Sequence, residues 1–337
     1  MSIKETLFAL SAADGVGTLK EASDVAFKEL SKYCECEKQD NLTVIGVLKG
    51  NSDYTLMLDA HIDQIAMIVT NVDDNGFLTV AKSGGIDLRA LPARRVTIHG
   101  KEKIKGVFCS TPPHLASGEV EYGDISTLKI DTFLGEKAKE VITIGDYVTF
   151  ESEPFDLLGD KVAGRSFDDR AAVACLIEVA KRLSDKELPL NVAFVLSDGE
   201  ELGLRGTRTA TYKVNPNEAI AVDVSFGDGI GISPEESGKL GKGAMIGIAP
   251  TLDSSVSRKL INLAKDKNIP YQNEVMGSRT GTNADMISVS REGVKTVTLS
   301  IPLRNMHSEV EILDLNDLES VCNLLCEYVL SGGVMND

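Results

Sequence analysis

Apolar residues along the chain recur with two different periods, and the switch between them divides the sequence. Residues 1 to about 33 show helical spacing with a break near Asp14-Gly15-Val16-Gly17. Leu42 to Leu48 alternates apolar and polar side chains, the pattern of a half-buried strand. Tyr54 to Asp59 predicts a second strand that runs into Ala60-His61-Ile62-Asp63. From about Met67 to Asp160 the helical period disappears and short β runs alternate with turn signals. Asp74-Asn75-Gly76 predicts a hairpin between Ile68-Val69 and the run from Phe77 to Val80. His99-Gly100-Lys101 predicts a second, between Val96 to Ile98 and Ile104 to Phe108, and Val141 to Phe150 adds further strand.

Helical spacing returns after Val162. Phe167-Asp168-Asp169-Arg170 leads into a helix whose apolar stripe is Val173, Leu176, Ile177, Ala180 and Leu183. Val192 to Leu196 has the length and β-branched content of a buried strand, and it breaks at Ser197-Asp198-Gly199 to deliver Glu200 and Glu201. Ala219 to Val224 is a strand carrying Asp223, and Val256, Leu260, Leu263 and Ala264 mark a helix that stops before Ile269-Pro270. Val294 to Ile301 predicts a strand that continues through Pro302-Leu303-Arg304-Asn305-Met306 to His307, and a closing helix covers about 314 to 330. The pattern therefore predicts an α/β protein with a mixed sheet flanked by helices. One domain comprises 1–66 and 161–337, and 67–160 is an inserted small all-β domain. A chain of 337 residues, 42% hydrophobic, is large enough for both.

Charge narrows the partners. Against 35 Lys and Arg stand 51 Asp and Glu, a net charge of -16. Nucleic acid and anionic membrane surfaces repel such a chain, and neither is expected as a partner. The N-terminus lacks a basic-then-apolar signal design, and no apolar run approaches the roughly 20 residues that span a bilayer. The six cysteines are scattered, which favours reduced thiols and a cytoplasmic location. Cys322 and Cys326 fall on an apolar helical stripe with Leu318, Val321, Leu325 and Val329 and read as core; Cys34-Glu35-Cys36 receives no assignment.

Candidate chemistry gathers where the strands end. His61, Asp63, Glu200, Glu201, Asp223 and His307 lie at or just past predicted strand ends, the positions where open α/β sheets carry their sites. Asp168 heads a helix. Taken alone, Glu200-Glu201 reads as a solvated loop, and the similar endings of the other strands are what favour chemistry there. Two histidines with several carboxylates and no cysteine are the donor types of a catalytic zinc, cobalt or manganese site. Asp63, two residues after His61, is spaced to accept the second ring N–H of that histidine. His99, in an expected turn, and His114, after Pro112-Pro113, read as surface or loop residues.

These segments resemble the M42 family of metallo-aminopeptidases. The resemblance runs through L-D-A-H-I-D-Q-I-A-M-I-V at 58–69, S-G-G-I-D at 83–87, P-P-H-L at 112–115 and G-R-S-F-D-D-R at 164–170. It continues through E-E-L-G-L-R-G at 200–206, A-V-D-V at 221–224 and I-P-L-R-N-M-H-S-E-V-E at 301–311, in the family's order over essentially the whole chain. It implies two divalent ions per chain, zinc or cobalt first and manganese as the third option. His61 and Asp223 would hold one ion, Glu201 and His307 the other, and Asp168 would bridge them. Glu200 would be the general acid/base and Asp63 would orient His61, with Arg304 as a candidate substrate-binding residue. It also implies a cis peptide at Asp168-Asp169, removal of N-terminal residues from short peptides, and a homo-oligomer, up to a hollow dodecamer, assembled through the β domain. The departures Gln64, Ala66, Ile86 and Asn283 are expected to shape the pocket or its rim rather than the metal centre. Two other functions compete: a metal-dependent hydrolase of another acylated amine or a glycan, and a non-catalytic scaffold keeping the family shell.

Overall fold

The computed structural model describes residues 1–110, 112–115 and 124–335. Its backbone is an eight-stranded sheet. From one edge to the other the strands are Tyr271–Val275, Ala244–Ile248, Lys295–Leu303, Glu218–Phe226, Thr55–His61, Asn191–Ser197, Val44–Leu48 and Glu35–Lys38. The four central strands, from Lys295–Leu303 to Asn191–Ser197, run parallel to one another. Their carboxyl ends therefore open on the same side, which brings His61, the Ser197-to-Glu201 loop, Asp223 and the Leu303-to-His307 loop together. The flanking strands Val44–Leu48 and Ala244–Ile248 pair antiparallel and make the sheet mixed.

Burial explains why the central strands are apolar runs rather than alternating ones. Helices cover both faces of a parallel sheet, so both faces need apolar side chains. Val192, Phe194, Val195 and Leu196 are fully buried, as are Leu56, Met57 and Leu58. The helix Phe167–Leu183 is apolar almost all round because it packs between the sheet, Ile3–Ala12 and Leu315–Leu330. Asp314 caps the last of these, accepting the backbone N–H of Asn316 at 3.0 Å. Cys322 and Cys326 lie in this core.

The β runs between Ala66 and Phe150 close into a six-stranded barrel with its own apolar core, which includes Met67, Val69, Val96, Ile98, Phe108 and Val148. Both expected hairpins form there: Ala66–Val72 pairs with Leu78–Ser83, and Arg95–His99 with Lys103–Phe108. A polar cluster joins the barrel to the α/β part. Asp14 receives hydrogen bonds from Arg165 at 2.9 Å, Lys103 at 3.0 Å and Thr149 at 3.0 Å. His99 belongs to it and corrects the sequence reading. It is the last residue of its strand, not part of a surface turn, and its buried ring contacts Thr149 at 2.9 Å and faces Asp14 at 3.7 Å. His114 is exposed. Among the described residues no helix is long and apolar enough to cross a membrane.

Candidate active site

At the carboxyl ends of the parallel strands lies a cavity of about 370 Å³ lined by His61, Asp168, Glu200, Glu201, Asp223 and His307. Every sequence-predicted ligand, together with the predicted proton carrier, is in this one place. Asp168 sits at its centre. One carboxylate oxygen lies 3.0 Å from Nε2 of His61 and the other 3.2 Å from Nε2 of His307. His307 Nε2 is also 3.2 Å from Glu201 Oε1, and His61 Nε2 is 4.0 Å from Asp223 Oδ1. Two groups of donor atoms result, His61 with Asp169 and Asp223, and Asp168 with Glu201 and His307, each with all atoms within 4.8 Å of one another.

The backbone sets these positions. Asp168 and Asp169 open the helix Phe167–Leu183 with non-helical dihedrals, and the peptide between them is cis, as the resemblance implied. The bend sends the two carboxylates to different partners. Asp168 reaches both imidazoles, while Asp169 Oδ2 accepts the backbone N–H of His61 at 3.1 Å. Asp63 lies 3.4 Å from His61 Nδ1, and its two oxygens accept the N–H groups of Glu200 at 3.0 Å and Glu201 at 3.1 Å. Glu311 accepts from the backbone of Asp168 at 3.1 Å and of His307 at 2.9 Å. It thereby fixes His307 at φ 61°, a conformation uncommon outside glycine. Gly85 permits the barrel to approach, since a Cβ there would come within 2.8 Å of His307 Nδ1.

Electrostatics shows what the site needs. Burial pushes the Asp223 and Asp169 carboxyls well above the ordinary range. Burial also raises Glu200, to about 7, a value suited to moving a proton at neutral pH. For His307, burial pulls downward, but Asp168 and Glu201 reverse this and hold it at about 11; Asp168 and Asp63 likewise outweigh burial at His61 and raise it. Buried acids thus outnumber the two imidazoles, and among the described residues no lysine or arginine lines the cavity and Asp169 Oδ1 is buried without a hydrogen-bond partner. Such a set of carboxylate and imidazole donors fits divalent cations, whose charge would replace the protons held by the histidines.

Two residues tied to the donors, Asp169 and Glu311, escaped sequence reading. Asp169 carried a signal, since it adjoins Asp168 in the F-D-D-R segment; Glu311 carried none beyond its place in the last motif. Arg304, the candidate substrate-binding residue, lies apart from the donors. Its guanidinium donates to the backbone oxygen of Asp228 and, at 2.9 Å, to the Asp228 carboxylate, and it does not line the cavity. The departures from the family pattern are also not at the rim. Gln64 is buried and accepts from Arg170 at 3.1 Å and Gly15 at 3.3 Å, while Asn283 is buried and donates to Asp59 at 2.5 Å and Ser197 at 2.9 Å. Ala66 is buried at the start of its strand, and Ile86 packs in the barrel core.

A mixed α/β fold with a closed β barrel and a buried carboxylate–imidazole cluster defines a metallopeptidase-like hydrolase. Residues 43–324 match the family described as M42 glutamyl aminopeptidase, and the chain belongs to that family. Among curated proteins it is 31% identical over 309 residues to the lysyl aminopeptidase of Pyrococcus furiosus, covering 88% of this chain and 86% of that one. Among solved structures it resembles a TET aminopeptidase from the marine sediment archaeon Thaumarchaeota archaeon SCGC AB-539-E09. That match has a TM-score of 0.93 and 28% identity, over 98% of this chain and 97% of the other. The Pyrococcus horikoshii TET1 peptidase, described as assembling into a tetrahedron or a large octahedral shell, matches with a TM-score of 0.87 and 31% identity over 98% and 99% of the two chains. The protein is therefore an aminopeptidase, and its family uses divalent metal.

Proposed function

We propose that this chain is a dinuclear aminopeptidase that removes N-terminal residues from short peptides, with Asp168 shared between two metal positions. The observation that carries the reading is the approach of its two carboxylate oxygens to two imidazoles, at 3.0 Å and 3.2 Å, each imidazole within its own donor group. His61 and Asp223, with Asp169 beside them, would hold one ion; His307 and Glu201 would hold the other. Divalent ions in such a pair polarise a carbonyl and make bound water acidic. Glu200, raised to about 7 by burial, accepts the proton of the attacking water and returns it to the leaving amine. Asp63 keeps Glu200 in place through its backbone N–H.

Zinc, cobalt and manganese all suit this donor set. The shells formed by the Pyrococcus horikoshii relative support self-assembly here. We assign that role to the barrel, whose separate apolar core makes it an independent module. Enclosure in a shell would restrict substrates to short or unfolded peptides.

Hydrolysis of aminoacyl-p-nitroanilides tests the function. Activity is expected to vanish with chelator, to return with one of the three metals, and to be absent on N-acetylated analogues. Cleavage of acetylated substrates, or no cleavage of free-amine substrates under any metal, removes the reading.

A further inference from the structure

Beside the metal-site cavity lies a second pocket of about 300 Å³ that shares Ser225, Phe226 and Thr280 with it. The sheet explains the adjacency. Residues two apart on a strand, and register partners on neighbouring strands, face the same side. Asp223 and Ser225 therefore share a face, and Ser300, the register partner of Asp223, joins them about 4.8 Å away on the next strand. Met245 pairs with Ser300, and Gly247, two residues on, pairs with Glu274 on the edge strand Tyr271–Val275. Glu274 reaches inward across Ala244–Ile248, and its Oε2 accepts the hydroxyl of Ser300 at 2.7 Å. A carboxylate thus sits one strand away from a metal-site residue, on the same face of the sheet.

The walls around Glu274 have a definite chemistry. Met245, Met276 and Phe226 supply apolar surface, and Glu235 and Glu236 add negative charge where the pocket meets solvent. Among the described residues no lysine or arginine lines the pocket and no cation pairs with Glu274. Its hydrogen-bond donors are serine hydroxyls. A half-buried carboxylate with serine partners, in a pocket of mixed apolar and acidic lining that adjoins the metal-site cavity, complements a long side chain with a cationic tip. The methylenes would lie against the methionines and phenylalanine while the charge meets the carboxylate.

We propose that this pocket receives the side chain of the substrate's N-terminal residue, and that Glu274 selects a basic one, lysine or arginine. The assignment rests on the aminopeptidase centre proposed above, since that centre fixes where the scissile bond lies. An acidic side chain would meet three carboxylates, and an aliphatic one would bury Glu274 without a counter-charge.

The test compares lysyl-, arginyl-, norleucyl- and glutamyl-p-nitroanilide as substrates of metal-loaded wild type and Glu274→Gln. Norleucine keeps the methylenes and lacks the charge. Wild type is expected to prefer lysine over norleucine in kcat/KM by about tenfold or more, with glutamate poorest. In Glu274→Gln the lysine-to-norleucine ratio is expected to fall to within about threefold of unity, mostly through KM. A measurement on wild type alone guards against a variant that fails to fold: free L-lysine should inhibit about tenfold more tightly than free L-norleucine. A wild type that prefers norleucine or glutamate, equal inhibition by the two amino acids, or an unchanged ratio in a folded Glu274→Gln overturns the pocket assignment and leaves the aminopeptidase reading intact. Absence of turnover on all four substrates with zinc, cobalt and manganese overturns both.

Discussion

The carboxylate of Asp63 holds the loop of Glu200 by its backbone, taking the Glu200 N–H on one oxygen and the Glu201 N–H on the other. The same carboxylate faces Nδ1 of His61 at 3.4 Å. One side chain therefore ties the histidine of one donor group to the glutamates that follow the neighbouring strand. Asp63→Asn leaves a single oxygen for two amides. Outer-sphere changes of this kind typically cost 10–100-fold in metal affinity or activity. A loss of about that size in kcat/KM, with weaker metal retention on dialysis, is expected, and wild-type values for both would remove the positioning role.

Metal loading should release protons. In the metal-free site, Asp168 and Glu201 overcome the effect of burial and hold His307 at about 11, so its ring is protonated at pH 8. A cation can bind that nitrogen only by displacing the proton, and affinity should fall as pH falls. Titration calorimetry in buffers of different ionisation enthalpy reads the protons directly. Wild type is expected to bind two ions per chain with net release, and His307→Ala to lose at least one ion and its share of the protons. Binding without any proton release would contradict the assigned role of His307.

Much of this centre is legible in the chain because its residues follow the apolar runs of the parallel strands. Thr55–His61, Asn191–Ser197, Glu218–Phe226 and Lys295–Leu303 are buried on both faces, so each is a continuous hydrophobic signal with chemistry at or near its end. The strand Tyr271–Val275 gave no such signal, since Y-Q-N-E-V is polar for an edge position, and the selecting Glu274 went unseen with it. Glu311 is held by partners 143 and 4 residues away, on a strand of four residues after an irregular loop, where no periodicity operates. Gln64 and Asn283 are expected at the pocket or its rim because they stand in motif segments next to the candidate site. Their partners, 106 and 224 residues distant, are what make burial tolerable. His99 was misplaced because the glycine after it marks the turn one residue too early.

Stability at mild acid should depend on the junction between barrel and sheet. Burial alone would raise Asp14, but Arg165 and Lys103 bring it down to about 2 from 3.8. A carboxylate depressed in the folded state contributes stability that is full above its unfolded value, near 4, and lost as pH falls through about 2. The depression corresponds to about 2 kcal/mol. Asp14→Asn should therefore unfold about 2 kcal/mol more easily than wild type at pH 7, and the gap should narrow as pH drops from 4 toward 2. Urea unfolding across that range checks it; a gap independent of pH would assign the effect to packing instead of charge.

Assembly is measurable without activity. One chain is 36.2 kDa, and light scattering at micromolar concentration is expected to give a multiple of that mass, with twelve chains ahead of a lone dimer. Charged substitutions on the exposed face of the barrel should reduce the mass while leaving the barrel's own core intact. A mass near 36 kDa at all micromolar concentrations rejects self-assembly.

Glu200 and Glu201 are neighbours in sequence with different surroundings, and their amide variants should fail differently. Glu201 Oε1 lies 3.2 Å from His307 Nε2 inside a donor group, whereas Glu200 lines the cavity outside both groups and is raised by burial to about 7. Glu200→Gln keeps shape and hydrogen-bonding capacity but cannot accept a proton from water. A general acid–base group contributes typically 10²–10⁴-fold, so kcat should fall by about that much while bound metal stays near the wild-type amount. Glu201→Gln removes a charged donor and should lose the ion it shares with His307, with activity partly restored at high metal concentration. Metal content and turnover measured side by side on the two variants separate the roles. Wild-type turnover in Glu200→Gln would reject the proposed proton transfer, and full metal content in Glu201→Gln would reject its assignment as a ligand.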